Sequence, residues 1–497
     1  MMEANRERLR PLMLVGTGSD VGKSVLAAAF CRIFRQDGYR PAPFKAQNMA
    51  LNSYATPEGF EIGRAQAVQA EAAGIPCHTD MNPLLLKPCT DSDAQVVLNG
   101  VPVGTKSASD FFRKKGRETL RRTVCEAFDR LAARYNPVVL EGAGSISEIN
   151  LRELDIVNMP MALHADADVL LVADIDRGGV FASVYGSLML LPEPQLERVK
   201  GILINKFRGD RALFDDGVRM MEELCGVPVL GVVPYFRDIH IEAEDSLVLE
   251  NKYREVVQGK VNVAVVLLRH LSNFTDFDAL EHDPRIRLLY TDNPEEIASA
   301  DIVVLPGTKS TADDLRRLRS NGLAAAVLEA HRAGRTVVGI CGGYQMLGRT
   351  ILDPFGVESD AEQMPGLGLL PVETTLRKKK RTRQVRFTLD GDDAPCRGYE
   401  IHMGETVLLP GADAKPLNRY EDGTGEGCRS GGRCMGTYIH GIFDNPAFVD
   451  ALLAPYAQRS EVPFDYRAYK EEQYDRLAEH VRRHVDMKKI YEILSRP

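Results

Sequence analysis

The chain has 497 residues, 44% hydrophobic and 27% charged. At about 150 residues per domain this corresponds to roughly three domains of ordinary globular composition, which excludes wholesale disorder and fibrous architecture. Lys and Arg number 62 against 70 Asp and Glu, a net charge of -8, the opposite of the bias of a general nucleic-acid binder.

The nine cysteines form no Cys-x-x-Cys pair, so they read as reduced thiols of a cytoplasmic protein. The charged N-terminus leads into Leu12–Gly16, too short for a signal sequence and suited to a first β-strand. No apolar run approaches the length of a membrane span. Neither a membrane nor a nucleic-acid partner is expected.

The first half alternates buried strands with amphipathic helices. Strands are expected at Leu12–Gly16, Val138–Glu141, Asp168–Asp174, Gly201–Asn205 and Val227–Val233, and helices at Val25–Gln36, Gly63–Ala73, Glu118–Arg134 and Leu213–Cys225. Such alternation implies α/β architecture, a mostly parallel sheet covered on both faces. The polar stretch Glu242–Lys260 reads as a domain boundary. A second α/β series follows, with strands at Val261–Leu268, Ile286–Tyr290, Ile302–Leu305 and Thr336–Ile340 and helices at Ala312–Arg319 and Leu323–Ala333. After Gly366 short strands with Gly-rich turns are expected, and from Pro446 a helical tail. The boundaries are 1–245, 260–455 and a tail over 456–497. In such sheets chemistry gathers at the carboxyl ends of the strands.

At the first of those ends stands Gly16-Thr17-Gly18-Ser19-Asp20-Val21-Gly22-Lys23-Ser24. A glycine-rich turn between strand and helix is a phosphate cradle: backbone N–H groups close on the phosphates, the lysine reaches the β/γ-phosphates and the hydroxyl meets Mg²⁺. Gly16 stands one residue earlier than the strict G-x-x-x-x-G-K-[ST] pattern requires. Glu141, ending a buried strand, supplies the carboxylate that Mg²⁺ normally needs. Asn205 and Lys206 end another strand and could read a base. Lys45, with Gln47, Asn48, Asn52 and Ser53 close behind it, could neutralise a transferring phosphoryl group, with the amides as candidate substrate contacts. Asp174 and Asp176, at a further strand end, are candidates near substrate or a turn-forming acidic pair.

The second constellation is Gly339-Ile340-Cys341-Gly342-Gly343, a nucleophile elbow with cysteine in place of serine. The position at a helix N-terminus favours the thiolate. The N–H groups of Gly342 and Gly307 could form an oxyanion hole. A cysteine nucleophile needs a base, and both His440 and His402 are candidates. The run Arg377–Arg383 reads as a solvated loop between two short strands rather than a nucleic-acid patch.

These motifs carry resemblances. The first half resembles the dethiobiotin synthetase-like P-loop enzymes, whose G-T-x-x-x-V-G-K-[ST] pattern accounts for the early glycine. The second half resembles a class I (triad-type) glutamine amidotransferase. The order of the two halves, with Lys45–Ser53 and Gly398-Tyr399-Glu400-Ile401-His402-Met403-Gly404, is similar to the cobyrinate and cobyric acid amide synthases, and within them to the cobyric acid synthases.

The resemblance implies a ligase that uses glutamine and ATP to amidate the b, d, e and g carboxylates of adenosylcobyrinic acid a,c-diamide, a corrinoid of cobalamin biosynthesis. It implies that Cys341 attacks the glutamine amide and that His440, rather than His402, is the catalytic histidine. It also implies that Asn205 reads adenine, that Glu61 is a further Mg²⁺ carboxylate beside Ser24 and Glu141, and that released ammonia displaces phosphate from an acyl phosphate along a protected path. A homo-oligomer is compatible with it. The rival readings are a cobyrinic acid a,c-diamide synthase and a non-catalytic P-loop ATPase. One departure is plain: many class I enzymes carry His-x-Glu, whereas this chain has His440-Gly441-Ile442. A Cys–His dyad is therefore expected, its histidine oriented by another group such as a backbone carbonyl, with Glu400 and Glu405 as neighbouring carboxylates.

Overall fold

The strands form where apolar runs can be buried on both faces. In the computed structural model, which describes residues 7–88, 93–107, 114–242, 259–359, 361–456 and 463–496, all five residues of Leu12–Gly16 are buried. This strand lies inside a six-stranded parallel sheet, in the order Val229–Pro234, Val199–Phe207, Asp168–Asp174, Leu12–Gly16, Val138–Glu141, Ala42–Phe44. Helices Lys23–Gln36, Arg64–Ala73, Lys114–Ala132, Val180–Met189 and Asp215–Cys225 accompany it. The expected α/β alternation is present, with boundaries moved by a few residues. A smaller sheet joins Gln47–Met49, Leu84–Pro88, Asp93–Leu98 and Val101–Ser107, which the apolar pattern did not reveal. Its last hairpin turns on Asn99-Gly100, with φ of 47° and 78°, the left-handed pair that a two-residue hairpin requires.

The chain divides into two units: Met1–Ala50, Phe60–Glu242 and Lys470–Pro497 form one, and Leu51–Gly59 with Ala243–Tyr469 the other. Two segments thus fall differently from the expected boundaries. The boundary stretch itself, at 243–258, lies outside the described residues. The end of the chain is helical, at Tyr466–His484 and Met487–Leu494, but it is no appendage. Tyr474, Leu477, Val481, Ile490 and Leu494 enter the same apolar core as Phe30 and Phe34. Arg32 fixes the helix by donating to Asp475 at 2.7 Å and Glu471 at 2.8 Å.

In the second unit the strands run Ile286–Thr291, Val261–Val266, Ile302–Leu305, Thr336–Ile340, Cys434–Thr437, all parallel, followed by the short antiparallel strands Cys428–Ser430 and Ala414–Lys415. The expectation of short strands after Gly366 needs correction. Val372–Leu389 and Cys396–Leu408 form an antiparallel ribbon of 18 and 13 residues. The basic run Arg377–Arg383 is strand, not loop, and it bulges: Leu376 faces Gly404, and the next paired residue, Arg381, faces His402. Arg377 reaches Glu405 at 2.8 Å and Arg383 reaches Glu400, so cross-strand carboxylates offset part of the basic charge.

Among the described residues, no helix is long and apolar enough to cross a membrane, and the eight cysteines are free thiols. Leu477, 0% exposed, tests the place of the C-terminal helix. Leu477→Ala should cost about 2–5 kcal/mol of stability, the range for a buried Leu→Ala cavity, measured by denaturant unfolding. A surface tail would lose almost nothing.

Candidate functional sites

In the first unit the site grows from three neighbouring strands. Phe44 pairs with Leu140, and Leu14 with Glu141, so Lys45, Glu141 and the phosphate loop leave the sheet side by side. Gly22 has φ +97°, and a Cβ there would stand 2.2 Å from the Asn205 amide nitrogen, so only glycine fits. That amide nitrogen donates to the Val21 carbonyl at 2.8 Å, placing Asn205 against the loop. Lys23 Nζ donates to the carbonyls of Gly18 and Gly144, each at 2.9 Å. Gly16 and Thr17 form the turn, with Thr17 N–H donating to Val172 at 3.0 Å.

Glu141, 2% exposed, is the hub. Ser24 Oγ donates to its Oε1 at 2.7 Å, Lys45 Nζ to the same oxygen at 2.8 Å, and Gln69 Nε2 to Oε2 at 2.7 Å. Burial opposes its charge, but Lys45, Ser24 and Gln69 outweigh burial and hold the carboxyl below the usual range. Gln69 was not foreseen. It sits on the helix Arg64–Ala73 without any motif around it.

The other expected residues of this unit have different surroundings. Glu61 pairs with Lys87 at 2.7 Å, both buried. Asp174 accepts from Lys206 at 2.9 Å and from the Asp176 N–H at 2.8 Å, while Asp176 pairs with Arg208 at 2.7 Å. Asn48 donates to Gln66 at 3.1 Å. Asn52, 1% exposed, falls in the segment Leu51–Gly59 that belongs to the second unit.

In the second unit Cys341 follows the strand Thr336–Ile340 with φ 51° and ψ -108°, a strained conformation for a residue with a Cβ. Its N–H donates to Thr437 at 2.8 Å. A Cβ on Gly343 would stand 1.9 Å from the Leu305 carbonyl oxygen, so the helix Gly342–Leu347 can seat on the sheet only with glycine there. A Cβ on Gly307 would stand 3.4 Å from His440 Cε1, and one on Gly342 would stand 2.6 Å from Thr308 Cγ2. Cys341, His440 and the two expected oxyanion glycines therefore share one place.

His440 is 1% exposed, and the Tyr399 ring stacks on it at 5.2 Å. Nδ1 meets Asp276 Oδ2 at 2.6 Å, and the Gly441 N–H donates to Asp276 Oδ1 at 3.1 Å. The expectation of a histidine oriented without a carboxylate is thus corrected: one carboxylate stands beside it, brought by the short helical turn Phe274–Phe277 from 164 residues earlier. Neither Glu400 nor Glu405 takes that role. Glu400 accepts from Tyr420 at 2.5 Å and from Arg383, and Glu405 pairs with Arg377. Burial works against a charged His440, but the Asp276 carboxylate and the Cys341 sulfur prevail and push the imidazole up to about 10. Its Nε2 is buried with no hydrogen-bond partner among the described residues. His402, the competitor, has its Nδ1 at 2.7 Å from the Gly404 carbonyl and stacks on Tyr438 at 3.8 Å.

Comparison with known proteins finds two matches along the chain. Residues 12–248 match the CobQ/CobB/MinD/ParA nucleotide-binding domain, and residues 262–448 match the CobB/CobQ-like glutamine amidotransferase domain. A cobyric acid synthase of Phocaeicola vulgatus is 66% identical over 492 residues, 99% of either chain. One of Parabacteroides distasonis is 57% identical over 490 residues, 98% of this chain and 99% of the relative. One of Salmonella agona is 50% identical over 501 residues, 97% and 98% respectively.

Two outcomes follow from the Asp276–His440 pair. Asp276→Ala should lower glutamine hydrolysis by about 10³–10⁴, the scale of losing an imidazole's orienting carboxylate, measured as glutamate release; a dyad would lose little. The folded histidine titrates above its ordinary 6.5, near 10, so the pair's stabilisation is complete below about 6.5 and fades as pH rises through about 10. The Tm difference between wild type and Asp276→Asn should therefore be largest near pH 6 and shrink towards pH 10.

Proposed function

Because the chain belongs to the cobyric acid synthase family, we propose that it is an ATP-dependent carbon–nitrogen ligase with glutamine as amido donor. On this reading it amidates the b, d, e and g carboxylates of adenosylcobyrinic acid a,c-diamide to give adenosylcobyric acid. The observation that carries the reading is the buried Asp276–His440 pair beside the elbow cysteine, an arrangement suited to acyl transfer. The eight free thiols among the described residues support a cytoplasmic setting.

In the second unit the Cys341 thiolate attacks the side-chain amide carbon of glutamine. The tetrahedral oxyanion is met by the N–H groups of Gly342 and Gly307. Protonated His440 gives its proton to the departing nitrogen, so ammonia leaves and a glutamyl thioester remains. Neutral His440 then takes a proton from water, which releases glutamate and restores the thiolate. Asp276 keeps Nδ1–H fixed throughout, so Nε2 is the nitrogen that exchanges the proton.

In the first unit the γ-phosphoryl group of ATP moves to a corrinoid carboxylate, and ADP leaves. Ammonia attacks the acyl carbon and phosphate departs, forming the amide. Lys23 and the loop N–H groups hold the phosphates, and Lys45 offsets charge on the moving phosphoryl group. The Ser24 hydroxyl and the Glu141 carboxylate present hard oxygens 2.7 Å apart, a donor set that suits Mg²⁺, which would offset phosphate charge when bound. Glu61 could join that set only by giving up its ion pair with Lys87. Asn205, fixed against the loop, is proposed to read adenine, and Gln47, Asn48, Asn52, Asp174 and Asp176 are proposed near substrate.

The two chemistries are separable. Cys341→Ala should abolish glutamine-dependent amidation yet keep it with high ammonium, whereas Lys23→Ala should lose amidation from either nitrogen source. Mass spectrometry of corrinoid products reads both. Absence of glutamate release by wild type with ATP and corrinoid present would overturn the assignment.

A further inference from the structure

Beside the elbow cysteine, the loops that leave two neighbouring strands are tied together. After Val261–Val266 the chain passes through His270, Leu271 and Ser272, and after Ile302–Leu305 through Gly307, Thr308 and Lys309. The two loops pair antiparallel. Leu271 faces Thr308, the Lys309 N–H donates to the His270 carbonyl at 2.9 Å, and the Ser272 N–H donates to the Gly307 carbonyl at 3.0 Å. The first loop leads on to Asp276. The second carries Gly307, whose N–H is the second oxyanion donor of the proposed reaction.

A buried carboxylate fastens this pair. Asp314, 1% exposed, stands on the helix Thr311–Ser320. Its Oδ2 accepts from the Thr308 hydroxyl and from the His270 N–H at 3.3 Å, and its Oδ1 lies 3.2 Å from His270 Nδ1. The Thr308 oxygen accepts in turn from the Ser310 N–H at 3.1 Å. The methyl group of Thr308 meets the elbow: a Cβ on Gly342 would stand 2.6 Å from Thr308 Cγ2 and 3.2 Å from the Thr308 nitrogen. Thr308 is thus wedged between Asp314 and one oxyanion glycine, and it directly follows the other. A carboxylate acceptor makes a hydrogen bond roughly twice as strong as a neutral one. Oxyanion donors act only when held where the charge develops, so a group that fixes Thr308 also fixes the spacing of the two N–H groups.

We propose that Asp314 is a positioning residue of the glutamine-hydrolysing site, acting through Thr308 to hold the Gly307 N–H against Gly342. The inference rests on the glutamine-hydrolysis reading above and extends it to the group that sets the oxyanion donors in place. Asp314 exchanges no proton in this role. It supplies a fixed acceptor, which an amide of the same shape can replace.

The test compares wild type with Thr308→Val, Asp314→Ala, Asp314→Asn and the double variant Thr308→Val/Asp314→Ala. Thr308→Val keeps a methyl group against Gly342 and removes only the hydroxyl. Two rates are read: glutamate release with ATP and corrinoid present, and alkylation of Cys341 by iodoacetamide, followed by mass spectrometry of its peptide. Alkylation needs the thiolate but no oxyanion donors. Thr308→Val and Asp314→Ala should each lower kcat for glutamate release about tenfold or more, short of the ~10²–10³ for deleting a donor outright. KM for glutamine and the Cys341 alkylation rate should stay within about twofold of wild type, since neither depends on charge at the oxyanion. The double variant should lose little beyond the slower single variant, because both changes break one contact. Asp314→Asn should be clearly faster than Asp314→Ala. The proposal is overturned by a wild-type kcat in Thr308→Val, by losses that multiply in the double variant, by alkylation that falls in step with kcat, or by Asp314→Asn no faster than Asp314→Ala. Should Asp314→Ala not fold, the kcat and alkylation rate of Thr308→Val decide alone. A wild type that releases no glutamate would instead sink the glutamine-hydrolysis reading, and this inference with it.

Discussion

A carboxylate taken out of water must be met by a cation and by hydrogen-bond donors, or it will not stay charged. Each unit of this chain is organised round one such group. In the first, Glu141 is compensated by Lys45, Ser24 and Gln69. In the second, Asp276 is compensated by His440 and the Gly441 N–H. The two pairs differ in what they leave available. Lys45 and Glu141 neutralise each other at the phosphate loop, where any phosphate or metal that enters must compete for both. Asp276 engages one nitrogen of the imidazole, and the other has no hydrogen-bond partner among the described residues.

These groups meet because of strand order. Lys45, Glu141 and the phosphate loop leave three adjacent strands at their carboxyl ends. Asp276, Gly307, Cys341 and His440 follow strands that are also consecutive neighbours, Val261–Val266, Ile302–Leu305, Thr336–Ile340 and Cys434–Thr437. A parallel sheet points all its carboxyl ends one way, so residues far apart in sequence arrive at one edge. The glycines permit the last approach. Without Gly343 the helix after Cys341 could not sit on the sheet, and without Gly22 the glycine-rich loop could not lie against Asn205.

What could be read in the sequence had local cause. Fully buried strands show as apolar runs, and the phosphate loop and elbow show as glycines at fixed offsets from one reactive residue. Glu141 was legible because an acid at the end of an apolar strand is conspicuous. Asp276 was not. It lies among Asn273-Phe274-Thr275-Asp276-Phe277, and a search for the histidine's partner confined to the histidine's neighbourhood passes over it. The carboxyl end of Val261–Val266 was itself a place to look, and a polar residue there was the available signal. Gln69 had no signal, since one amide on a helix looks like any other. The long ribbon was missed for a different reason. The alternating burial of Val372–Leu376 is ordinary strand, but the basic residues that follow mark a bulge within it, and the sequence suggests an end.

The stretch Lys45–Ser53 was read as one motif, and the structure shows why it is dense in polar residues yet does not serve one purpose. Its first half belongs with the first unit, where Lys45 meets Glu141. From Leu51 the chain belongs with the second. There the Ser53 N–H donates to Asn273 at 3.0 Å, and Tyr54 lies 4.5 Å from Tyr399, the ring that stacks on His440. Asn273 in turn stands three residues before Asp276. A segment of the nucleotide-binding half of the sequence therefore helps to wall the histidine site. The two halves cannot be exchanged as independent modules without cutting that wall, because the residues that complete it are carried by the other half's chain.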